Sequence, residues 1–257
     1  MSALNRLLWL DHEGSTRLAG LLRIALVLLL WATWSYPFIL HFDLHPLRLS
    51  LALAFYLASP LLLVGLWTPA SAAVVAASLV GASLLLGPSD PLWLQPHRQL
   101  ATLLACLGVL LPAGRSLSLD RLRALRRARQ AGRPAPDERG PLWPLRLLQL
   151  VASCLLLATA LGQLSPAWRD GSALSAAPAW GRPVAWGLLL VHLVGAFGPW
   201  WRVTRTASLL LVGGVYLGLG LFMVTDTVPF AVIWLLCAFL DPQTVHRAID
   251  RLHGHPG

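Results

Sequence analysis

Residues 19–40 read AGLLRIALVLLLWATWSYPFIL, an apolar run interrupted by a single charge at Arg23. A helix needs about 20 mostly apolar residues to cross roughly 30 Å of hydrocarbon, and this run meets that requirement. Lipid offers no partner for backbone N–H and C=O groups, so the run reads as a transmembrane α-helix, which pairs them internally. The same ruler, moved along the chain, finds further spans at 49–67, 70–86, 99–113, 143–164, 183–200, 207–224 and 228–240. The reading is an all-α polytopic membrane protein with eight spans. The second and third are separated only by Thr68 and Pro69 and must form a tight hairpin. The last is short and could be tilted or half-inserted, which leaves seven spans as the alternative.

Composition agrees. Apolar residues make up 56% of the 257 positions and charged residues 12%, where a soluble domain carries about a quarter charged. Mean hydropathy is +0.66. A net charge of +9 would suit a nucleic-acid binder, but position argues against that reading. Nine of the 20 basic residues fall between Arg115 and Arg146, and such clusters mark the cytoplasmic side of a membrane protein. All 20 are arginine, so no side-chain amine is available as a base or Schiff-base former. Cys106, Cys154 and Cys237 lie singly in apolar stretches and read as packing residues rather than a disulfide framework. The first residues, with Asp11, His12 and Glu13, do not read as a secretory signal.

Arginine bias orients the chain. With the loop 114–142 inside, counting back places the segment 1–18 in the cytoplasm, and counting forward places Arg202, Arg205 and the tail 241–257 there too. The transmembrane domain is then 19–240, in a cell (inner) membrane, with both termini cytoplasmic. Trp67, Trp93, Trp143, Trp168, Trp180, Trp200 and Trp201 stand near span ends, as in an interfacial aromatic belt. Within the basic loop, Ser116 to Arg133 reads as an amphipathic helix. Leu117, Leu119, Leu122 and Leu125 offer an apolar side, and Arg121, Arg123, Arg126, Arg127 and Arg129 are placed to meet lipid headgroups. A solvated basic helix fits the same pattern. Ser118 and Asp120 stand where a capping acceptor is useful.

Ionisable residues at membrane depth are functional candidates by default. Arg23 can snorkel to the inner interface. His97 and Arg98 stand at the outer mouth of the fourth span, Gln163 closes the fifth, and His192 falls in the middle of the sixth. A satisfied core histidine is the plainer reading of His192. Asp226 reads as a turn or cap residue. His41, Asp43 and His45 share one short loop, which is poor support for a ligand set, and no metal is expected. No HExxH, P-loop or GxSxG motif is present.

Two stretches are more specific. His97 to Asp120 reads HRQLATLLACLGVLLPAGRSLSLD, and Ala160 to Leu174 reads ALGQLSPAWRDGSAL. Together with GLWTPASA at 65–72, they resemble the HTTM domain family, the membrane domain related to vitamin K-dependent gamma-carboxylase. The resemblance covers about Arg17 to Leu240. It implies a multi-span helical scaffold and, in the carboxylating relatives, a site where a reduced naphthoquinone reacts with oxygen to give a strong base. His97 matches a family histidine. Gln163 stands where the family has its key lysine, and Tyr216 stands near the position of a further histidine. An amide cannot serve as the base that a lysine provides, and nothing in the chain corresponds to the large extra-membrane domain of the carboxylases. Peptide carboxylation is therefore not expected.

The resemblance leaves a scaffold that could hold a quinone, a hydroquinone or another isoprenoid lipid near His97, Arg98, Gln163, Trp168 and Asp170. Trp168 reads equally as an interfacial anchor and Asp170 as a turn residue. The contrasting reading is a non-catalytic membrane anchor or assembly subunit that holds a protein partner. A DoxX-like redox membrane protein is a lesser alternative, since those proteins usually have about half as many spans.

Overall fold

The computed structural model describes residues 12–40, 46–88, 91–172, 180–222 and 227–252; His41, Asp43, His45 and Asp226 lie outside them. Helix α1 is Arg17–Leu40, α2 Pro46–Val64 and α3 Thr68–Gly81, which runs on through a π-helical turn at Ala82–Leu86. A short 3-10 turn, Pro91–Leu94, leads into α4, Pro96–Gly108. Then come α5 (Leu119–Gln130), α6 (Trp143–Gly162), the one-turn α7 (Pro166–Arg169), α8 (Gly181–Phe197), α9 (Arg202–Phe222), α10 (Val228–Cys237) and α11 (Pro242–Leu252). The strands β1 (Glu13–Ser15) and β2 (Arg139–Pro141) pair antiparallel, with Gly14 opposite Gly140. Prolines set several helix starts. Pro69, Pro96, Pro144, Pro166 and Pro229 fall in first turns, where a missing N–H costs no helical bond.

The all-α membrane reading holds at this level. Six helical segments are long and apolar enough to cross a bilayer: Arg17–Ile39, Pro46–Val64, Thr68–Leu86, Trp143–Gly162, Gly181–Trp200 and Arg202–Leu221. Helices α4 and α10 run beside them but are shorter. Leu57, Leu84, Leu190, Leu210 and Leu221 are each 60% exposed or more. So much outward leucine would be an aggregating surface in water and is the natural lipid face of a membrane bundle. Cys154, read as a packing residue, also faces outward.

Helices α1 to α4 pack on one another, and α6, α8 and α9 form a second group. Helix α10 joins the two, touching α1, α4, α6 and α9. It lies antiparallel along α1. At one end the Trp234 indole donates to Leu22 O at 2.7 Å, and at the other the Thr33 hydroxyl bonds to Thr227 at 3.0 Å. The core includes Leu30, Trp34, Phe55, Val75, Leu79, Leu104, Leu148 and Leu235. Trp93 belongs to it: only 1% exposed, it stacks with Trp34 and Phe38. The 3-10 turn before α4 aims this ring inward, so Trp93 is not a belt residue. Trp67, Trp180 and Trp201 are exposed, as a belt requires.

One end of the bundle is rich in arginine and closed by a polar knot. Arg23 is 2% exposed. It does not snorkel; its guanidinium donates to Ala113 O and Leu117 O, each at 2.6 Å, on the loop after α4. Gly65, at φ 70°, turns α2 into α3 directly against this group. A Cβ there would come within 2.4 Å of Ser118 Cβ. Asp120 does not cap its own helix. Its carboxylate accepts from the Trp67 and Thr68 N–H groups at 2.9 and 2.8 Å and from the Thr68 hydroxyl at 2.9 Å, capping α3 from a distance. Ser118 caps α5, which begins at Leu119, accepting from the Arg121 N–H at 3.0 Å. Burial pushes the Asp120 carboxyl up, but these hydrogen bonds and nearby Arg123 outweigh that and hold it below its ordinary range.

The same end gathers the first and last described segments. Arg17 bridges Glu138 at 2.8 Å and Asp250 at 2.5 Å. The segment read as a tail contains α11, which meets α10 at a 92° bend and rests on α1 and β1.

Candidate functional site

The polar residues of the second helix group meet at the opposite end. Helix α6 stops at Gly162, ahead of Ser165-Pro166, and Gln163 forms its C-cap. The Gln163 side chain is 8% exposed and turns inward. His192, in mid α8, and Tyr216, on α9, are 5% and 7% exposed. His192 Nδ1 lies 2.7 Å from Leu188 O and 3.1 Å from Gln163 Oε1, and Nε2 lies 2.7 Å from the Tyr216 hydroxyl.

These contacts fix the proton positions. A backbone carbonyl can only accept, so Nδ1 carries the hydrogen and shares it between Leu188 O and Gln163 Oε1. In the neutral ring Nε2 is then an acceptor, and the Tyr216 O–H donates to it. Close helix packing makes these distances possible. One turn beyond His192, a Cβ on Gly195 would come within 2.8 Å of Leu156 on α6 and 3.2 Å of Val212 on α9. The two rings meet edge to face at 5.7 Å.

The arrangement can hold one extra proton without moving heavy atoms. If Nε2 takes a proton, the imidazolium's Nδ1–H already has two carbonyl acceptors, and the Tyr216 oxygen becomes the acceptor for Nε2–H. Such a polar chain of side chains inside an apolar bundle is expensive to leave unpaired and marks a candidate relay.

The other predicted residues fall elsewhere. His97 is half-buried and Arg98 is 4% exposed, in the first turn of α4. That helix packs on α1, α3 and α10, whereas the triad is built by α6, α8 and α9. The structure thus brings Gln163 and His192 together and places His97 and Arg98 in the other helix group. Trp168 lies on α7, which packs on α8 near Gln163. Asp170 is exposed and accepts the Ser172 N–H at 2.8 Å, closing a turn. The Ser172 N–H and hydroxyl hold its carboxyl below its ordinary range.

On α5, which is the narrower stretch Leu119–Gln130, Arg121 is occupied internally. It pairs with Glu138 at 3.5 Å and donates to Pro136 O. Arg123, Arg126, Arg127 and Arg129 stay exposed beside the outward Leu119 and Leu122. Among the described residues no group of three or more His, Cys, Asp or Glu could hold a metal ion.

Tyr216 was not singled out as a site residue from sequence. Its partners lie on two other helices, so no local spacing marks it. The available signal was a lone phenol in an apolar helix, a group that needs a partner when buried. No family model, no curated protein and no solved structure matches the chain.

Proposed function

We propose that this chain is a multi-pass protein of the cell (inner) membrane on an HTTM-like scaffold. It crosses eight times, keeps both ends and the basic loop 114–142 in the cytoplasm, and binds a quinone, hydroquinone or related isoprenoid lipid beside the triad. The observation that carries this reading is the convergence on His192. Gln163, which stands where the resemblance puts a lysine, and Tyr216, which stands near where it puts a further histidine, both hydrogen-bond to that one imidazole. Eight crossings are supported by α4 and α10, which pack antiparallel to α1 although they are short. Burial among other helices lets a short span persist. The arginine-rich end, with Arg17, Arg23, Arg115 and Arg202, is then the inner face.

In this reading a hydroquinone hydroxyl donates to the Tyr216 oxygen, and His192 behind it accepts charge. Gln163 holds the imidazole tautomer and supplies no base, so peptide carboxylation is not the activity. The test is thermal melting of the full chain in detergent with menaquinone and menaquinol. A ligand bound at 100 times its Kd stabilises by about 2.7 kcal/mol. Wild type should be stabilised, and Tyr216→Phe and Gln163→Ala should lose that response.

A non-catalytic assembly subunit is the second reading. It is favoured by a triad whose polar atoms already satisfy one another and by the exposed leucine–arginine surface of α5. Absence of any quinone response in a well-folded wild type would select it.

A further inference from the structure

A second polar feature lies far from the triad, at the arginine-rich end. A cavity of about 570 Å³ opens between the start of α9 and the bend from α10 to α11. Arg202, Arg205 and Thr244 line its polar part, and Leu209, Leu210 and Phe239 its apolar part. A neighbouring cavity of about 340 Å³ also uses Arg202 and Arg205, so both arginines face open space on two sides.

The local charge is unbalanced. Among the described residues neither Arg202 nor Arg205 pairs with a carboxylate. Arg205 spends one N–H on Pro199 O at 3.0 Å. Arg146, stacked 4.1 Å from the Trp200 ring centroid, lies near enough to Arg205 to feel its like charge. Asp241 also lines the cavity. Its carboxylate, however, accepts the Thr244 N–H at 3.1 Å and the Thr244 hydroxyl at 2.8 Å and serves the first turn of α11.

The cavity walls grade from cationic to apolar along one helix face. Arg205 and Leu209 are four residues apart on α9, about one turn of 5.4 Å. Leu210 is 71% exposed, and Trp201, the residue before Arg202, is 60% exposed, as an interfacial anchor would be. A free anion has no use for the leucines, and a soluble peptide would not follow this gradient into the lipid face. Basic pockets between helices at a membrane surface are suited to anionic headgroups.

We propose that this cavity is a specific anionic-phospholipid site. The phosphodiester sits on Arg202 and Arg205, Thr244 faces the glycerol region, and the upper acyl chains lie on Leu209 and Leu210. It is distinct from the exposed arginines of α5, which present charge without a cavity.

The test is native mass spectrometry of the full chain in detergent, titrated with phosphatidylglycerol or phosphatidylcholine of identical acyl chains. Phosphatidylglycerol should bind preferentially. Arg202→Gln should weaken it about five-fold, and Arg202→Gln with Arg205→Gln about thirty-fold. Arg126→Gln with Arg127→Gln on α5, whose charges can meet headgroups but line no part of this cavity, should weaken it far less than Arg202→Gln does. Arg202 is exposed, so the single variant keeps the test valid if the double variant fails to fold. Equal binding of the two lipids, wild-type affinity in Arg202→Gln, an equal loss in the α5 variant, or full competition by millimolar inorganic phosphate would each overturn the proposal.

Discussion

The Arg23 knot and the His192 triad both bury polar groups in an apolar bundle, and they do so in opposite ways. The two terminal nitrogens of Arg23 donate to backbone carbonyls of the loop after α4, while its Nε stays unpartnered among the described residues, and Asp120 accepts mainly from backbone N–H groups at the start of α3. Main-chain partners cannot rotate away, so each bond also fixes the course of the chain. The triad is linked mostly through side chains, from Gln163 to His192 to Tyr216, with Leu188 O as its one main-chain partner. Side chains can exchange partners and protons while the helices stay in place. The first cluster therefore behaves as architecture, and the second has the form of a site.

Substitutions can break this contrast, and the largest effect is expected at Arg23. Arg23→Met leaves two buried carbonyls without charged donors and should cost about 3–5 kcal/mol, measured by unfolding in mixed micelles. Arg23→Lys should recover only part, because an ammonium cannot fork to both loop carbonyls. Next comes Gly65→Ala, which adds a Cβ at φ 70° within 2.4 Å of Ser118 Cβ. A loss of about 2–3 kcal/mol is expected from strain and displacement. A near-neutral outcome for either would mean that the knot is not what fixes the α2–α3 hairpin.

Asp120→Asn turns one of the two accepting oxygens into an amide N–H that faces backbone donors of α3, and should cost about 1–2 kcal/mol. The Asp120 carboxyl is held below its ordinary range, so its contribution is fully present above the unfolded-state pKa. It disappears as pH falls through the lower folded-state value. Wild type should therefore show an acid-side decline in melting temperature that the Asn variant lacks. The smallest effect is expected at Tyr216→Phe. Hydrogen bonds inside membrane bundles contribute only about 0.6–1.7 kcal/mol, so stability should fall by about 1 kcal/mol while any quinone response disappears. A loss as large as that of Arg23→Met would place the triad with the architecture and remove the distinction.

Some of this was legible residue by residue. The run at 19–40 needs no partner to be recognised, because length and apolarity alone decide whether a helix can enter lipid. The turns at Thr68-Pro69 and before Pro96, Pro144 and Pro229 are local too, since proline acts on its own backbone. The knot was half legible. GLWTP and PAGRSLSLD stood out as stretches, but nothing in either shows that Asp120 caps Thr68 or that Arg23 lies between them. Trp93 was misread because one turn of 3-10 helix decides whether a ring faces lipid or core.

The sequence by itself determined that the chain carries long apolar helices fit for lipid, where most of them lie to within a few residues, and which loops are cationic. These follow from the composition and periodicity of single segments. Only the tertiary structure decided which polar groups meet. It joined Gln163 to His192 and Tyr216 and left His97 in the other helix group. That choice depends on which helices pack side by side and how closely a glycine such as Gly195 lets them approach, a property of pairs of segments that neither segment carries alone.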